Sequence, residues 1–439
     1  MAYDVAFKQS GVRRAHDMAS LFDVASVFDD MNLPTGNRVA IITNAGGPGI
    51  LTTDACEQGG LEIAQFTSET TEYLKSNLPP AASVNNPIDA LGTASPEDYE
   101  LCINASLKDD NVDAVLVLLT PQAMTKVTDT AKVIVDAHKR NPDKPLIAVF
   151  MGGNSMVYPR IVLTTGGIPV FDFPERAVHA LSELYKYTVS RDRLKDEEIP
   201  KFKVDMKKVE GIIQDVRKDN RKILLGSEAH AIAEAYDIPV ARIRLATTAD
   251  EAKTLAEELG YPVVLKIASP DIVHKSDIGG IKIGLKTPEE VESAFNDIIK
   301  SAKEHMPDAK IYGVDVQEMA EKGKELIIGC SRDVQFGPMI MFGTGGIYVN
   351  FLKDISFRLA PMTRTDACEL IKETKMGKLL SGVRGEAPSD IEAIEDTILK
   401  ISQLVTDFEE IVELDINPAF GYEKGKGISA VDVKITIGE

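Results

Sequence analysis

Short runs of apolar residues in the first half of the chain constrain its fold most. Val39–Thr43, "DAVLVLLT" from Asp113 and "KPLIAVFM" from Lys144 each have the length of a strand, and helical segments such as "TDTAKVIVDAHKR" separate them. Strands that are apolar throughout are typical of parallel sheets covered by helices on both faces. The sequence therefore predicts a flavodoxin-like, doubly wound α/β domain over residues 36–190.

The segments on either side of this domain have different patterns. Residues 1–35 are predicted to be helical, because "MASLFDVASVFDDM" repeats apolar residues at helical spacing. Residues 191–222 are rich in charges of both signs, which favours a solvated linker that runs into a helix over a basic interaction surface. From residue 223 to 439, amphipathic strands such as "GGIKIGL" alternate with helices, which predicts an α+β domain with two lobes.

Composition excludes several classes of protein. The formal net charge is −19, whereas nucleic-acid and anionic-membrane partners attract basic surfaces, so we expect neither partner. No apolar stretch reaches the roughly 18 residues of a membrane helix, and the first residues lack the apolar segment of a signal peptide. The four cysteines form no CxxC pair, which argues against a zinc site or a disulfide scaffold. We expect a soluble, cytoplasmic protein.

Candidate nucleotide ligands occur in order along the second half. Lys266 lies near the end of the apolar run "YPVVLKIA", where a rigidly held ammonium can meet a phosphate, although such a lysine is more often a surface residue. In "DVQEMAEKGKELIIG", a hinge after a strand offers backbone groups to an adenine edge. Glu318 can accept a hydrogen bond from the adenine amine, and Glu325 from ribose hydroxyls.

Oxygen ligands for a divalent cation lie near the end of the chain. "ELDINP" and "AVD" place Asp415, Asn417 and Asp432 on strands that are predicted to pair. Mg²⁺ prefers a few such oxygens together with phosphates and water, although Asp-x-Asn-Pro also forms ordinary turns. The lysine, the two glutamates and this group together predict a site for a magnesium nucleotide.

These motifs resemble a known family. "GYPVVLKIASPDIVHKSDIGGIKIGL", "QEMAEKGKELIIGCSRDVQFGPMIMFGTGGIYVNFLKDISFRLAP" and "ELDINP" resemble the ATP-grasp half of ADP-forming acyl-CoA synthetases, which are relatives of succinyl-CoA synthetase. "ITNAGGPGILTTDACEQGG" and "NNPIDALGTA" resemble the CoA-ligase domain of that family. The resemblance covers essentially the whole chain. It implies a reversible conversion of acid, CoA and ATP into acyl-CoA, ADP and phosphate through phosphohistidines, with Mg²⁺ as cofactor.

The resemblance also assigns roles to particular residues. His274 in "HKSDIGG" matches the histidine that relays the phosphoryl group to ADP, and Gly279 and Gly280 close its loop. Imidazole suits this role because it is a good nucleophile that titrates near neutral pH. Asp354 in "LKDISFRLAP" is our own candidate for holding or polarising phosphorylated His274. The nucleotide and magnesium residues of the family match Lys266, Glu318, Glu325, Asn417 and Asp432.

A Gly-rich turn in the first half is a candidate anion site. In "NAGGPGILTTDACEQGG" the turn runs into a helix, whose free N–H groups and dipole favour an anion. The pattern alone is also common in purely structural turns, and it lacks the lysine and the spacing of a P-loop. In the family this helix end faces the phosphohistidine phosphate, so Gly46, Gly47 and Gly49 are the predicted backbone donors.

The full enzymes of this family carry further domains upstream. These domains bind CoA and hold the first phosphohistidine, so we interpret residues 1–35 as the helical tail of a missing CoA-ligase domain. His16 is predicted to lie on that helix and is not assigned the relay role. The expected partners are nucleotide, phosphate and an N-terminal half that binds most of the CoA, from the same gene product or a companion chain. The symmetry of the family predicts a homo-oligomer.

Two other functions fit part of the pattern. An ATP-grasp carboxylate–amine ligase works through an acyl phosphate and needs no phosphohistidine. The regulatory, synthetase-like half of a protein acetyltransferase can carry a vestigial nucleotide site, but the sequence ends at "VDVKITIGE" without an acetyltransferase domain, and its nucleotide residues are intact.

Overall fold

A computed structural model describes residues 2–196, 198–272, 274–346, 354–383 and 385–438. The chain divides into two compact units. The first unit is Ser10–Asp196, and the second comprises Met1–Gln9 together with Glu197–Glu439. The first helix, α1 (Ala2–Gln9), therefore belongs to the second unit although it precedes the first unit in sequence. No helix within the described ranges is long and apolar enough to cross a membrane.

The first unit is built around one parallel sheet. Its helices are α2 (Met18–Asp30), α3 (Gly46–Gly59), α4 (Ser68–Asn77), α5 (Pro96–Lys108), α6 (Val127–Arg140), α7 (Val157–Thr165) and α8 (Pro174–Asp196). Its strands are β1 (Arg38–Thr43), β2 (Glu62–Ile63), β3 (Ile88–Asp89), β4 (Ala114–Leu119), β5 (Leu146–Phe150) and β6 (Val170–Phe171). The order is β2-β1-β4-β5-β6, with β3 also paired to β1. Apart from β3 this is the flavodoxin order, so the predicted fold of this domain is confirmed.

The helices of the first unit pack in two groups. Helices α2 and α3 pack on α8, whereas α5 packs on α4 and α6, and α6 on α7. The central strands β1, β4 and β5 are buried almost throughout, as their continuous apolar sequences require. Arg176 of α8 forms hydrogen bonds of 2.6 and 2.7 Å with Asp23 of α2. Helix α2 is therefore an integral layer of this unit, in contrast to the single helical tail that we predicted, and His16 precedes the helix rather than lying on it.

The second unit contains two antiparallel sheets. Its further helices are α9 (Met206–Lys218), α10 (Gly226–Ala235), α11 (Ala249–Leu259), α12 (Pro288–His305), α13 (Arg364–Lys372), α14 (Lys375–Leu380) and α15 (Ile391–Asp407). Its strands are β7 (Ile243–Ala246), β8 (Val263–Ala268), β9 (Ile281–Leu285), β10 (Gly313–Glu318), β11 (Lys324–Asp333), β12 (Gly337–Thr344), β13 (Ile355–Leu359), β14 (Ile411–Gly421), β15 (Ile428–Ala430) and β16 (Val433–Ile437). One sheet has the order β7-β10-β8-β9 and the other β13-β12-β11-β14-β15, with β16 paired to β14. The predicted two-lobed α+β architecture is confirmed.

The sheet β7-β10-β8-β9, with α11 and α12, forms the small lobe of the second unit, and this sheet has one apolar and one polar face. Side chains alternate between the faces of a strand, so the valines of "GVDVQE" in β10 point one way and its Asp and Gln the other. Val314, Val316 and Leu265 are fully buried in the core that α11 and α12 complete. Lys266 and Asp315 are direct partners in the β8–β10 ladder and therefore share the polar face.

The large lobe is built on the sheet β13-β12-β11-β14-β15, and it incorporates two segments that we expected to lie outside it. In α9, Val209, Ile213 and Val216 are buried in the core of this lobe, so the helical part of the predicted linker belongs to the folded unit. Helix α1 contacts β13, where the amide of Gln9 donates to the Leu359 carbonyl at 3.0 Å and accepts from the Leu359 N–H at 2.6 Å. This pairing satisfies backbone groups of a strand at the edge of the sheet.

Candidate functional site

The polar face of the small lobe meets the large lobe at the segment between β15 and β16. Lys266 donates from Nζ to the Val431 carbonyl at 3.3 Å and lies 3.5 Å from Asp432 Oδ1. Gln317 donates from Nε2 to the same carbonyl at 2.7 Å. Two strands of the small lobe thus converge on one peptide of the large lobe, and the predicted nucleotide lysine lies between the lobes with only 10% of its side chain exposed.

Two of the predicted magnesium ligands, Asp415 and Asn417, lie on β14, and the third, Asp432, lies in the adjoining segment before β16. Asp415 of β14 pairs with Lys434 of β16, and the N–H of Asn417 donates to the Asp432 carbonyl at 3.1 Å. Asn417 Oδ1 accepts from the N–H of Gly346 at 2.8 Å, which fixes the orientation of the amide. Among the described residues, no three His, Cys, Asp or Glu side chains form a metal-binding group. Two carboxylates and one amide oxygen fit Mg²⁺, which takes its remaining ligands from phosphates and water.

Burial and the neighbouring lysines shift the pKa values of Asp432 and Asp415 in opposite directions. Burial alone would raise the pKa of Asp432, but the charges of Lys266, Lys275 and Lys434 outweigh it and hold that pKa below its usual value. Burial raises the pKa of Asp415 despite the nearby Lys434. Of the two carboxylates, Asp432 is the one whose charged form is favoured by its surroundings.

A cavity of about 280 Å³ adjoins this group. Its lining includes Gly226, Lys275, Asp415, Asp432 and Lys434. Burial lowers the pKa of Lys275, although Asp315 and Asp432 partly oppose this effect. The ammonium of Lys275 can therefore contact an oxygen of a phosphate bound in the cavity. In the sequence, only its position directly after His274 distinguished this lysine.

Two buried polar residues that adjoin Gly226, a residue of the cavity lining, were missed by the sequence analysis. Asp315 is fully buried, and among the described residues the Ser227 hydroxyl is the polar side chain that approaches its carboxylate, without a hydrogen bond of ordinary geometry. Burial raises its pKa to about 6, and the charge of Lys275 offsets only part of this effect. His230 of α10 is 1% exposed, donates from Nδ1 to the Gly226 carbonyl at 2.8 Å, and has its pKa lowered by burial to about 4. The alternation of apolar and polar residues in "GVDVQE" indicates that Asp315 lies on the polar face of β10. No pattern in the sequence distinguishes His230 from other polar residues of a helix.

His274 opens a compact turn between β8 and β9. Its carbonyl accepts from the N–H of Asp277 at 3.2 Å, and the Lys275 carbonyl accepts from the N–H of Gly280 at 2.8 Å. Gly279 has a φ of +67°, which other residues rarely adopt, and a Cβ at Gly280 would lie 2.8 Å from Ile267 Cγ2. Both glycines are thus required by the geometry of the turn. The His274 side chain is exposed at its start.

The two predicted nucleotide glutamates lie in different surroundings. Glu318, at the end of β10, accepts from Nε of Arg242 at 2.6 Å and from the Arg242 N–H at 2.8 Å, so both of its oxygens are engaged. Glu325 is exposed at the start of β11, and its carbonyl accepts from the N–H of Gly345 at 2.9 Å. Its carboxylate is closely packed against Gly346, where a Cβ would lie 1.8 Å from Oε2. Glu325 is therefore an exposed residue whose carboxylate lies against Gly346, while Glu318 would have to leave Arg242 to reach an adenine.

Asp354 has structural contacts that account for its carboxylate. It accepts from the backbone N–H groups of Lys375 at 2.6 Å and Met376 at 2.9 Å, at the start of α14, and from the Thr344 hydroxyl at 2.7 Å. Burial would raise its pKa, but these bonds hold it below the usual value. Within the described ranges, these three donors engage both oxygens of Asp354 at the start of a helix, and its role toward His274 stays a prediction.

The Gly-rich turn of the first unit starts helix α3. Ala45 is the N-cap and provides no side-chain acceptor, so the N–H groups of the first turn are left for another partner. Gly46 and Gly47 are exposed, whereas Gly49 is buried, with its Cβ position 3.2 Å from Thr43 Cγ2. Gly49 thus permits close packing on β1. The first two glycines remain the predicted anion donors.

Comparison with known proteins agrees with this architecture. A family model described as an ATP-grasp domain matches residues 215–437, and one described as a Ligase-CoA domain matches residues 39–195. The fold and the site thus define an ATP-grasp protein with an attached CoA-ligase domain.

Relatives narrow the class further. The chain is 42% identical over 438 residues to the ADP-forming acetate–CoA ligase I of Archaeoglobus fulgidus, covering 100% of this chain and 62% of that protein. It is 46% identical over 230 residues to the beta subunit of the ADP-forming acetate–CoA ligase I of Pyrococcus furiosus, covering 52% of this chain and 98% of the subunit. A solved structure of the Ca. Korarchaeum cryptofilum dinucleotide forming acetyl-coenzyme A synthetase 1, with coenzyme A and Ca-AMPCP, is 47% identical. It covers 52% of this chain and 99% of that chain with a TM-score of 0.50. The chain belongs to the family of ADP-forming acyl-CoA synthetases.

Proposed function

We propose that this chain is the C-terminal part of an ADP-forming acyl-CoA synthetase and exchanges a phosphoryl group between a nucleotide and His274. The observation that carries the proposal is the convergence of Lys266 with Asp432 and the Val431 carbonyl at the boundary of the two lobes. A lysine from a rigid strand and a group of oxygen ligands are the two components that a magnesium nucleotide requires. His274 lies six residues after the end of β8, the strand that carries this lysine.

Different residues have different roles in the proposed phosphoryl transfer. His274 attacks the γ-phosphorus of ATP through a ring nitrogen, the new N–P bond replaces the bond to the bridging oxygen, and ADP leaves with the bonding electron pair. Lys266 and Lys275 oppose the negative charge of the phosphates. Asp415, Asn417 and Asp432 would hold Mg²⁺, which neutralises phosphate charge when it is bound. The reverse transfer regenerates ATP from ADP and phosphorylated His274.

The complete reaction needs components beyond this exchange. We propose that acid, CoA and ATP are converted reversibly into acyl-CoA, ADP and phosphate, and that a second phosphohistidine in a CoA-binding part passes the phosphoryl group to and from His274. The chain spans 62% of the length of the Archaeoglobus fulgidus relative, and another relative is a separate beta subunit, so this part is either joined or supplied by a companion chain. The N–H groups of Gly46 and Gly47 are the proposed contact with the phosphate on that histidine. The predicted homo-oligomer stays a prediction.

Radiolabelling tests the exchange directly. The chain is incubated with Mg²⁺ and ATP labelled at the γ-phosphate, and we expect acid-labile, base-stable label on His274. His274→Ala should lose the label, whereas His179→Ala, which alters an exposed histidine of α8, should keep it. Unlabelled wild-type protein, or equal labelling of His274→Ala, would contradict the proposal. A carboxylate–amine ligase predicts no labelled histidine, and a vestigial site predicts no thermal shift with Mg-ADP.

A further inference from the structure

Helix α12 makes a specific contact with the turn that carries His274. Ser301 donates from Oγ to the Ile278 carbonyl at 2.6 Å. The same hydroxyl lies 3.8 Å from the position that a Cβ of Gly279 would occupy, so it adjoins the residue whose φ of +67° closes the turn. The contact is 23 residues distant in sequence and joins two different elements of the small lobe.

Ser301 lies on a helix that is packed into the core of the small lobe. Helix α12 buries Val291, Ile298 and Ala302 in the core of the small lobe, and it packs on β8, the strand that carries Lys266. The Ser301 carbonyl accepts from Nδ1 of His305 at 2.9 Å, which leaves the hydroxyl hydrogen for Ile278. A carbonyl within the turn is thereby fixed relative to the nucleotide lysine.

Backbone hydrogen bonds fix the end of the turn at Gly280, on the side away from His274. The N–H of Gly280 bonds to the Lys275 carbonyl, and the Gly280 carbonyl accepts from the N–H of Ile267 in β8, both at 2.8 Å. These bonds join the end of the turn to the sheet. The Ser301 bond adds a side-chain anchor at its middle, between the fixed arm and His274.

We infer that Ser301 is a positioning residue for phosphoryl transfer, acting through the Ile278 carbonyl on the turn that presents His274. The inference rests on the proposed function of His274. In-line transfer requires the imidazole nitrogen to lie about 3–3.5 Å from the phosphorus, and small displacements of such a group lower the rate steeply. Because the anchor acts on the turn and not on the nucleotide, it governs the transfer rate and leaves nucleotide affinity unchanged.

The test separates transfer from binding in the full chain. With saturating labelled ATP, Ser301→Ala should phosphorylate His274 about threefold to tenfold more slowly, as expected for the loss of one hydrogen bond. Its affinity for Mg-ADP, measured by calorimetry, should stay within about twofold of wild type. Ser301→Thr keeps the hydroxyl and should restore the rate. Ser293→Ala, at an exposed position about two turns earlier in α12, should change neither quantity.

Hydrogen exchange supplies a second measurement. The amides of Gly279 and Gly280 should exchange faster in Ser301→Ala, with the change confined to the turn. A wild-type labelling rate in Ser301→Ala, or a rate loss that Ser301→Thr does not restore, would overturn the inference while the proposed function stands. If wild-type His274 carries no label, the proposed function fails and the inference fails with it.

Discussion

Lys266 and Asp432 are 166 residues apart in sequence and belong to different lobes, yet their charged atoms lie 3.5 Å apart. Both groups are largely shielded from solvent, with side-chain exposures of 10% and 34%. The 3.5 Å between Lys266 Nζ and Asp432 Oδ1 is long for a hydrogen bond, and Lys266 shares the Val431 carbonyl with Gln317. Lys266 is therefore free to exchange Asp432 for an oxygen of a phosphate. The contact keeps the ammonium of Lys266 between the two lobes, next to the predicted Mg²⁺ ligand Asp432.

Replacing Lys266 should weaken nucleotide binding. In Lys266→Met the apolar stem is kept and the ammonium is lost, so one charge-assisted hydrogen bond to a phosphate disappears. We expect Mg-ATP to bind about 10- to 100-fold more weakly by calorimetry. Lys286→Met, which removes an exposed lysine just after β9, is the control and should bind normally. Unchanged affinity in Lys266→Met would exclude a phosphate contact.

Gly280 should tolerate alanine poorly because of its neighbours. A Cβ there would lie 2.8 Å from Ile267 Cγ2 and 2.9 Å from the Lys275 carbonyl oxygen, so the turn or the strand must shift. We expect Gly280→Ala to cost about 1–3 kcal/mol and to lower the melting temperature. Gly211→Ala, in α9 with nothing near its Cβ position, should instead gain about 0.5–1 kcal/mol. Equal shifts of the two variants would contradict the close packing of the turn.

Asp354 provides a test of a helix cap against a catalytic role. Asp354→Ala removes three hydrogen bonds around the start of α14 and should cost about 1–3 kcal/mol of stability. Labelling of His274 per folded molecule should stay at the wild-type rate. Asp390→Ala, which removes the cap of α15, is the matched comparison. Slower labelling in Asp354→Ala alone would restore the role toward His274 that we first predicted.

The sequence predicted those features that a local pattern encodes. Strands β4 and β5 are apolar throughout, and β1 is apolar between Arg38 and Thr43, which already required a sheet covered on both faces. Asp415 and Asn417 alternate with apolar residues in one strand, so their common face followed from the period of two. The same period in "GVDVQE" indicated Asp315 and Gln317, but we had interpreted that segment only as the approach to a hinge.

The features that depend on distant contacts were not accessible in this way. The pairing of Lys266 with Asp432 depends on how two lobes meet, and no spacing in the sequence encodes it. Ser301 and His230 resemble any polar residue of an amphipathic helix until the partners across the helix are known. Glu318 was predicted to accept from an adenine and Asp354 to hold or polarise His274, and the donors that neighbour their oxygens were not readable from the sequence.

Asp315 should make stability depend on pH in a direction opposite to that of most carboxylates. Its pKa rises from the usual 3.8 to about 6 in the folded protein because the group is buried. Between these values the folded state binds more protons than the unfolded state, so stability falls as the pH rises from about 4 to 6. Above pH 6 the cost of the buried charge is complete.

Asp315→Asn removes this titration with little change of shape. The variant should match wild type near pH 4 and exceed its stability by roughly 2 kcal/mol at pH 7, as judged from chemical denaturation across the range. Asp297→Asn changes an exposed carboxyl of α12 and should stay within about 0.5 kcal/mol of wild type at both pH values. A stability difference between Asp315→Asn and wild type that does not vary with pH would show that the carboxyl is not strained by burial. If the expected difference is observed, Asp315 carries a negative charge at neutral pH, and this buried charge lowers the stability of the protein. Such a cost is common for polar groups near a functional site. Here the negative charge faces the positive charges of Lys266 and Lys275.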